Sequence, residues 1–411
     1  MKKGTKIVAI GILSFFLLLI AAAFILPYLI SLDRYKGMIE ARLGGVLQRE
    51  VSLEGLRITI LPTLGAKIEN LVISNISGFS PTPFLSLRVL KVRVKLLPLL
   101  VGRKEIAGLT LQKPKVFIER DKGGRLNIPL MDEKIKRGRR GRLKSARVKT
   151  EESKVLQGLF ISKASIKGGN FVYLDRAITP ARRTEIEKID LDLRDLSLKK
   201  RIKYDLSLKW APGDLSLEGW LGPLGETIDL KRTPLEGRLR VDLHRPDDLI
   251  RTLAGEKGPA LHGGLKVDLN FQGDTGSALK VQGEIFLKAL SLEQRGEKLI
   301  QDLDLLLRPE ADLCWEKGEL GLKSTLQIEE TPFQIEGEFR DLQRRPSGKL
   351  TFFSKKGFDL EELGPKFPPL QKVLNLKGDL ALKGNLRIHP QGPSVLSLEA
   401  NSSQMEIALV R

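Results

Sequence analysis

From Val51 onward the chain alternates apolar and polar residues with a period of two. In KVRVKL, Lys91, Arg93 and Lys95 alternate with Val92, Val94 and Leu96. The same grammar recurs in YDLSLKW (Tyr204, Leu206, Leu208, Trp210), GRLRVDL (Leu239, Val241, Leu243) and GLKVDLNF (Leu265, Val267, Leu269, Phe271). It continues in ELGLKSTLQI (Leu320, Leu322, Leu326, Ile328) and KGDLALKGNLRI (Leu380, Leu382, Leu386, Ile388). Successive side chains of a strand point to opposite faces, so this pattern predicts antiparallel sheet with one covered side. In VSLEGLRITI the phase slips around Gly55, from Val51 and Leu53 to Leu56, Ile58 and Ile60, as a bulge in a curved sheet would produce.

Helical spacing is rare and similarly placed. DRYKGMIEARLGGVLQ sets Tyr35, Ile39, Arg42, Leu43, Val46 and Leu47 at near-helical intervals, and Gly44-Gly45 is expected to end or loosen that helix. PDDLIRTLAG predicts a short helix near 246–254, and FDLEELGPKFPPLQKVL predicts short helices within 358–374. Each precedes a Gly-kinked strand run. Sliding one run on the other places Gly263 on Gly378, Leu265 on Leu380 and Val267 on Leu382, an offset of 115 residues. Repetition of this kind favours an elongated stack over separate globules.

Ahead of the strands, Lys2, Lys3 and Lys6 precede an uncharged run from Ile7 to Leu32, longer than the roughly 20 residues that cross a bilayer. Residues 1–32 are therefore expected to be an uncleaved transmembrane anchor with a cytoplasmic N-terminus and the bulk of the chain outside. The expected divisions are this anchor, a helix and β region over 33–133, a basic flexible loop over 134–158 and a repetitive β region over 159–411.

Charge narrows the partners. The chain of 411 residues carries a net charge of +19, which points to nucleic acid or to anionic lipid surfaces. KIKRGRRGRLKSARVK, from Lys134 to Lys149, holds nine basic residues and no acidic one, and Arg137, Arg139, Arg140 and Arg142 are the expected contacts to an anionic surface. Stacking aromatics are sparse, and no nucleic-acid-binding motif is present, so nucleic acid is not expected as a partner.

Reactive groups are equally sparse. Cys314 is the only cysteine, so no internal disulfide can form, and His244, His262 and His389 are scattered and lie near Pro or Gly. The sequence holds no phosphate-binding Gly-rich loop, no HExxH and no GxSxG. Asp190, Asp192 and Arg194 share one strand face opposite Ile189, Leu191 and Leu193, which makes them the wet face of a strand. No enzyme activity, cofactor or metal is expected.

The stretch KLLPLLVGRKEIAGLTLQKPKVFIERDKGGRLN, Lys95 to Asn127, carries Pro98, Leu99, Leu100, Gly102, Ile106, Leu109, Leu111, Pro114, Val116, Gly124 and Asn127 in order, behind Arg49, Val51 and Gly55. In these residues the chain resembles the AsmA-like family of Gram-negative envelope proteins, over residues 1 to about 130. It departs from the family at Gln48, where members usually have Gly before the Arg. The resemblance implies a sheet curled into a taco-like trough, related to chorein-type lipid-transfer bridges and anchored in the inner membrane. It also implies a part in phospholipid movement to the outer membrane and in outer-membrane integrity. Within the stretch itself, Pro98 and Gly102 are expected to form a turn, and Pro114 to sit only at a strand edge or start.

A one-sided sheet must cover its apolar face or hold something apolar, and few helices are available to cover this one. The expected fold is thus mainly β, a transmembrane helix followed by an elongated, curled antiparallel groove with a few short helices. Its lining is expected to include Val92, Val94, Leu96, Ile106, Leu109, Leu111, Leu206, Leu208, Leu265, Val267, Leu269, Leu380 and Leu382. The expected partners are phospholipid acyl chains, the inner membrane and an outer-membrane or envelope protein. The alternative is a scaffold or assembly factor for outer-membrane biogenesis whose apolar face is closed by protein.

Overall fold

The structure is a computed structural model that describes residues 33–59, 64–95, 98, 105–128, 160–210, 213–225, 232–244, 260–274, 276–294, 296–390, 394–402 and 404–409. The expected anchor over 1–32, the helix near 246–254, the four arginines of the basic segment, Gly102 and Leu96 lie outside the described residues. Among the described residues, no helix is long and apolar enough to cross a membrane. The fold is mainly β, and the chain divides into two compact units, one ending at Ile202 and the other beginning at Lys203.

The first unit opens with helix α1 (Asp33–Leu47), which runs through Gly44 and Gly45 instead of stopping there. Gln48 ends it in the left-handed conformation, φ 54°, which Gly adopts without steric cost. Seven strands follow: β1 (Val51–Ser52), β2 (Gly55–Thr59), β3 (Gly65–Ile73), β4 (Leu85–Val94), β5 (Glu105–Arg120), β6 (Phe160–Asp175) and β7 (Arg182–Leu196). Both β1 and β2 pair with β3, the interruption falling where the sequence pattern slips. Pairing then proceeds from β3 to β4, β5, β6 and β7 in chain order.

One of these pairs overturns the expectation of a wholly antiparallel sheet. β5 and β6 run parallel, Glu105 opposite Phe160 and Arg120 opposite Asp175. Parallel neighbours need a long crossover, and residues 121–159, which contain the basic segment, supply it.

A line of left-handed residues crosses this sheet. Asn70 (φ 49°) on β3, Lys113 (φ 50°) on β5, Gly168 (φ 61°) on β6 and Lys188 (φ 49°) on β7 lie at or near the same level of the register. At this line the apolar set changes parity in every strand it crosses. In β3 it passes from Ala66 and Ile68 to Leu71 and Ile73; in β5 it passes from Leu109 and Leu111 to Val116 and Ile118. The apolar set nevertheless keeps to one side, because Ile68, Leu90 and Leu111 all pack against the buried cluster of Leu53, Leu71 and Leu87. Pro114 sits in the middle of β5, opposite Leu87, and not at an edge or start. Its missing N–H falls at the crease, where the β5–β6 ladder is interrupted between Gln112 and Lys115.

The second unit contains β8 (Ile202–Trp210), β9 (Gly213–Leu221), β10 (Pro234–Leu243), β11 (Ala260–Asp274), β12 (Leu279–Gln294), β13 (Glu297–Cys314), β14 (Glu319–Ile328), β15 (Thr331–Arg340) and β16 (Ser347–Ser354). It closes with β17 (Phe358–Asp359), α2 (Leu360–Leu363), a 3-10 turn (Gly364–Lys366), α3 (Pro368–Gln371), β18 (Leu374–Ile388), β19 (Val395–Asn401) and β20 (Met405–Leu409). The short helices fall within the expected 358–374. From β9 to β16 each strand pairs antiparallel with the next. Long β18 then pairs with β16, β17, β19 and β20 in separate stretches. Both glycines aligned by the 115-residue offset have positive φ, 129° at Gly263 and 96° at Gly378, so the repeat is conformational as well as sequential.

Each unit buries a small core at a helix-covered end. In the first, Ile39 of α1 packs on Leu53, Leu71 and Leu87, which are 1%, 7% and 3% exposed. In the second, Leu290, Leu303, Phe333, Phe358 and Leu360 are buried, and the short helices pack on β13 and β18. Lys366 of the 3-10 turn reaches Glu329 at 3.0 Å.

Candidate functional site

Cross-strand register assembles the alternating aliphatic residues into rows. In the first unit, Ile58, Ala66, Val92, Leu109, Ala164 and Leu193 stand opposite one another in succession from β2 to β7. Next to it runs a second row of Leu56, Ile68, Leu90, Leu111, Ile166 and Leu191. Val94 lies opposite Ile106, which lies beside Ile161. Every member of the two long rows is half-buried, with one side against its neighbours and the other open. At ~4.8 Å between strands, a six-strand row spans roughly 24 Å, against ~30 Å for a whole hydrocarbon core.

The other face of the same strands is polar. Arg57, Lys67, Lys91, Thr110, Ser165 and Asp192 form its matching row. Asp192 takes ion pairs from Lys163 at 3.2 Å and Lys167 at 3.3 Å, and Asp190 accepts the Gly168 N–H at 2.9 Å. The Asp cluster thus lies on the polar face, half-buried and paired with lysines, with Leu191 and Leu193 in the aliphatic rows behind it.

The second unit repeats the arrangement. Leu215, Val241, Val267, Ile285, Leu307, Leu326 and Phe333 line up from β9 to β15. Leu265 and Leu269 flank Val267 in parallel rows, opposite Leu287 and Gly283. Leu206 and Leu208 share the face of Tyr204, whose hydroxyl lies over the paired glycines Gly219 and Gly237 on that apolar side and donates to the Glu236 carbonyl at 3.1 Å. Leu380 lies opposite Phe358, and Leu382 opposite Ala400 of exposed strand β19. Residues such as Ala66, Ile166 and Ile285 belong to the rows but emerge only from the register.

Behind the crease of the first unit lies a buried polar knot that alternation does not reveal. Glu119, 1% exposed, accepts from the Ser80 N–H at 3.0 Å and the Ser80 hydroxyl at 2.6 Å, and pairs with Arg176 at 3.2 Å. Asn127, fully buried, accepts the Glu119 N–H at 2.9 Å and donates to the Phe117 carbonyl at 3.0 Å and to Asn75 at 3.1 Å. Arg49 donates to the carbonyls of Asn127 and, at 3.3 Å, Ser74, with its guanidinium 4.1 Å from the Phe84 ring centroid. Arg49 and Asn127, from opposite ends of the sequence signature, therefore meet.

What these features define, in each unit, is a β-sheet with a half-exposed aliphatic face and a polar face behind it. Among the described residues, no group of histidine, cysteine and carboxylate side chains is arranged to hold a metal ion. The chain belongs to the AsmA family, whose model matches residues 1–291. That match extends well past the signature ending at Asn127 and takes in strands through most of β12. No curated protein matches the chain.

Proposed function

We propose that the chain is a non-enzymatic envelope protein whose aliphatic rows bind phospholipid acyl chains and conduct phospholipid between inner and outer membrane, supporting outer-membrane integrity. Residues 1–32 anchor it in the inner membrane with the N-terminus cytoplasmic, the rest lies in the periplasm, and an outer-membrane or envelope protein receives the cargo. One observation carries this reading: in each unit, aliphatic side chains from six neighbouring strands line up in rows that stay half-exposed. Removing such a surface from water is worth ~0.8 kcal/mol per CH₂, and a lipid acyl chain is the ligand that gains it without polar demands. The gain is similar at each step along a row, so a chain slides without a large barrier while its headgroup stays in water.

The test is mass spectrometry of the full chain, gently purified from membranes, as wild type and as Val92→Asp. Phospholipid carried by the wild type and reduced at least about threefold in a folded Val92→Asp variant supports the reading. Absence of phospholipid from the wild type contradicts it. So does a Val92→Asp chain that unfolds, the behaviour of a scaffold whose apolar face packs on protein.

A further inference from the structure

The polar face of β9 to β12 carries a second arrangement that lipid binding does not use. Glu218, Arg238, Asn270 and Gln282 stand opposite one another across the four strands. Beside them runs a row of Trp220, Glu236, Gln272 and Lys280. Together they line a concavity of about 480 Å³. Elsewhere on this face, opposite charges meet across strands, as Arg308 with Glu284 at 2.9 Å and Lys266 with Asp242 at 3.6 Å. Here three uncharged amides are gathered instead. Among the described residues, the side chains of Asn270, Gln272 and Gln282 make no hydrogen bond, so their donors and acceptors face the concavity unspent.

The charges around them are largely engaged within the protein. Arg238 donates twice to Asp268, at 2.6 and 2.5 Å; Glu218 pairs with Arg240 at 3.2 Å; Lys280 lies 3.7 Å from Asp312. Trp220 is 40% exposed, with the Lys203 ammonium 5.6 Å from its ring centroid. A Trp face is the negative side of a ring quadrupole and suits the weakly positive C–H face of a sugar ring. A primary amide offers two donors and one acceptor oxygen, the complement of neighbouring hydroxyls, which both give and take hydrogen bonds. Paired cations leave little attraction for an anion. Four strands at ~4.8 Å give the site a width of roughly 14 Å, room for several linked rings.

We propose that this concave face binds a neutral oligosaccharide, one ring stacked on Trp220 and its neighbours hydrogen-bonded to Asn270, Gln272, Gln282 and Glu236. The experiment is calorimetric titration of the full chain, held in an amine-oxide detergent that lacks a sugar headgroup, with chitotetraose, with maltotetraose and with inorganic phosphate. Saturable binding of at least one tetrasaccharide is expected, changing less than about twofold between ~50 and ~500 mM NaCl because no ion pair to the ligand is screened. Trp220→Ala is expected to weaken it about tenfold and Trp220→Phe by less than about threefold. The double variant Asn270→Ala, Gln272→Ala is expected to weaken it at least about fivefold. The proposal is overturned if neither sugar binds, if Trp220→Ala binds as wild type, or if phosphate binds in their place with affinity that falls as salt rises.

Discussion

The helix-covered end of the first unit and the open rows beside it are built from the same kinds of aliphatic residue and share strands β3 and β4, yet they do different work. Leu53, Leu71 and Leu87 are sealed under Ile39 of α1, whereas Val92, Leu109 and Leu193 remain half-exposed a few residues along β4, β5 and β7. The first set holds the sheet together; the second is surface left available. In the second unit the contrast recurs, with Phe333, Phe358 and Leu360 buried beside the short helices while Val267 and Ile285 stay half-open. Hydrophobicity alone does not distinguish structure from site here. What does is whether a helix or loop lies over it.

The sharpest way to break this comparison is to truncate one residue from each set. Leu53→Ala removes a sealed side chain and is expected to cost about 3 kcal/mol, while Leu109→Ala, already half in water, is expected to cost less than about 1 kcal/mol. Urea unfolding monitored by circular dichroism reads both, and equal costs would erase the distinction. The polar knot gives the next effect: Asn127→Ala strands the Glu119 N–H and the Phe117 carbonyl in a dry site, an expected loss of about 2 kcal/mol in the same assay. Gln48→Gly acts in the opposite direction. It relieves a left-handed non-glycine residue at the end of α1 and is expected to raise stability by about 0.5–1 kcal/mol, tightening the helix that covers the core.

The smallest expected effect lies on the polar face. Hydrogen bonds from Arg238 hold the Asp268 carboxyl below its ordinary range; burial opposes the shift, and the nearby charges of Arg238 and Arg240 add to it. Because the folded-state pKa is depressed, the contribution of this pair is fully present above the unfolded-state value of about 3.9 and is lost as pH falls through the lower folded value. Both partners are substantially exposed, so the difference in urea midpoint between wild type and Asp268→Asn should be small at pH ~6 and should shrink as pH falls below about 4. A difference that grows on acidification would contradict the assignment.

Much of this architecture was legible as period-two alternation. The strands over KVRVKL, GLKVDLNF and KGDLALKGNLRI lie where the pattern puts them, and the slip at Gly55 marks a real interruption between β1 and β2. The crease was harder to see, because left-handed backbone at Asn70, Lys113 and Lys188 is imposed by the sheet on residues that do not advertise it. Strand direction was invisible for the pair β5 and β6, since parallel pairing depends on where a long connection re-enters and not on the strands themselves. Glu119 reads as a wet residue until Ser80 and Arg176 are brought to it from 39 and 57 positions away. The rows and the amide cluster depend on register, which no single strand encodes.

The central claim is that the half-exposed rows, and not the polar face behind them, meet lipid. It is tested most directly by placing a photo-crosslinking amino acid in the full chain at Leu109 and Val267, and at their outward neighbours Thr110 and Asp268, then irradiating cells and identifying adducts by mass spectrometry. The account predicts phospholipid adducts at Leu109 and Val267 and none above background at Thr110 and Asp268. Equal labelling of both faces, or protein adducts alone at the inward positions, would contradict it.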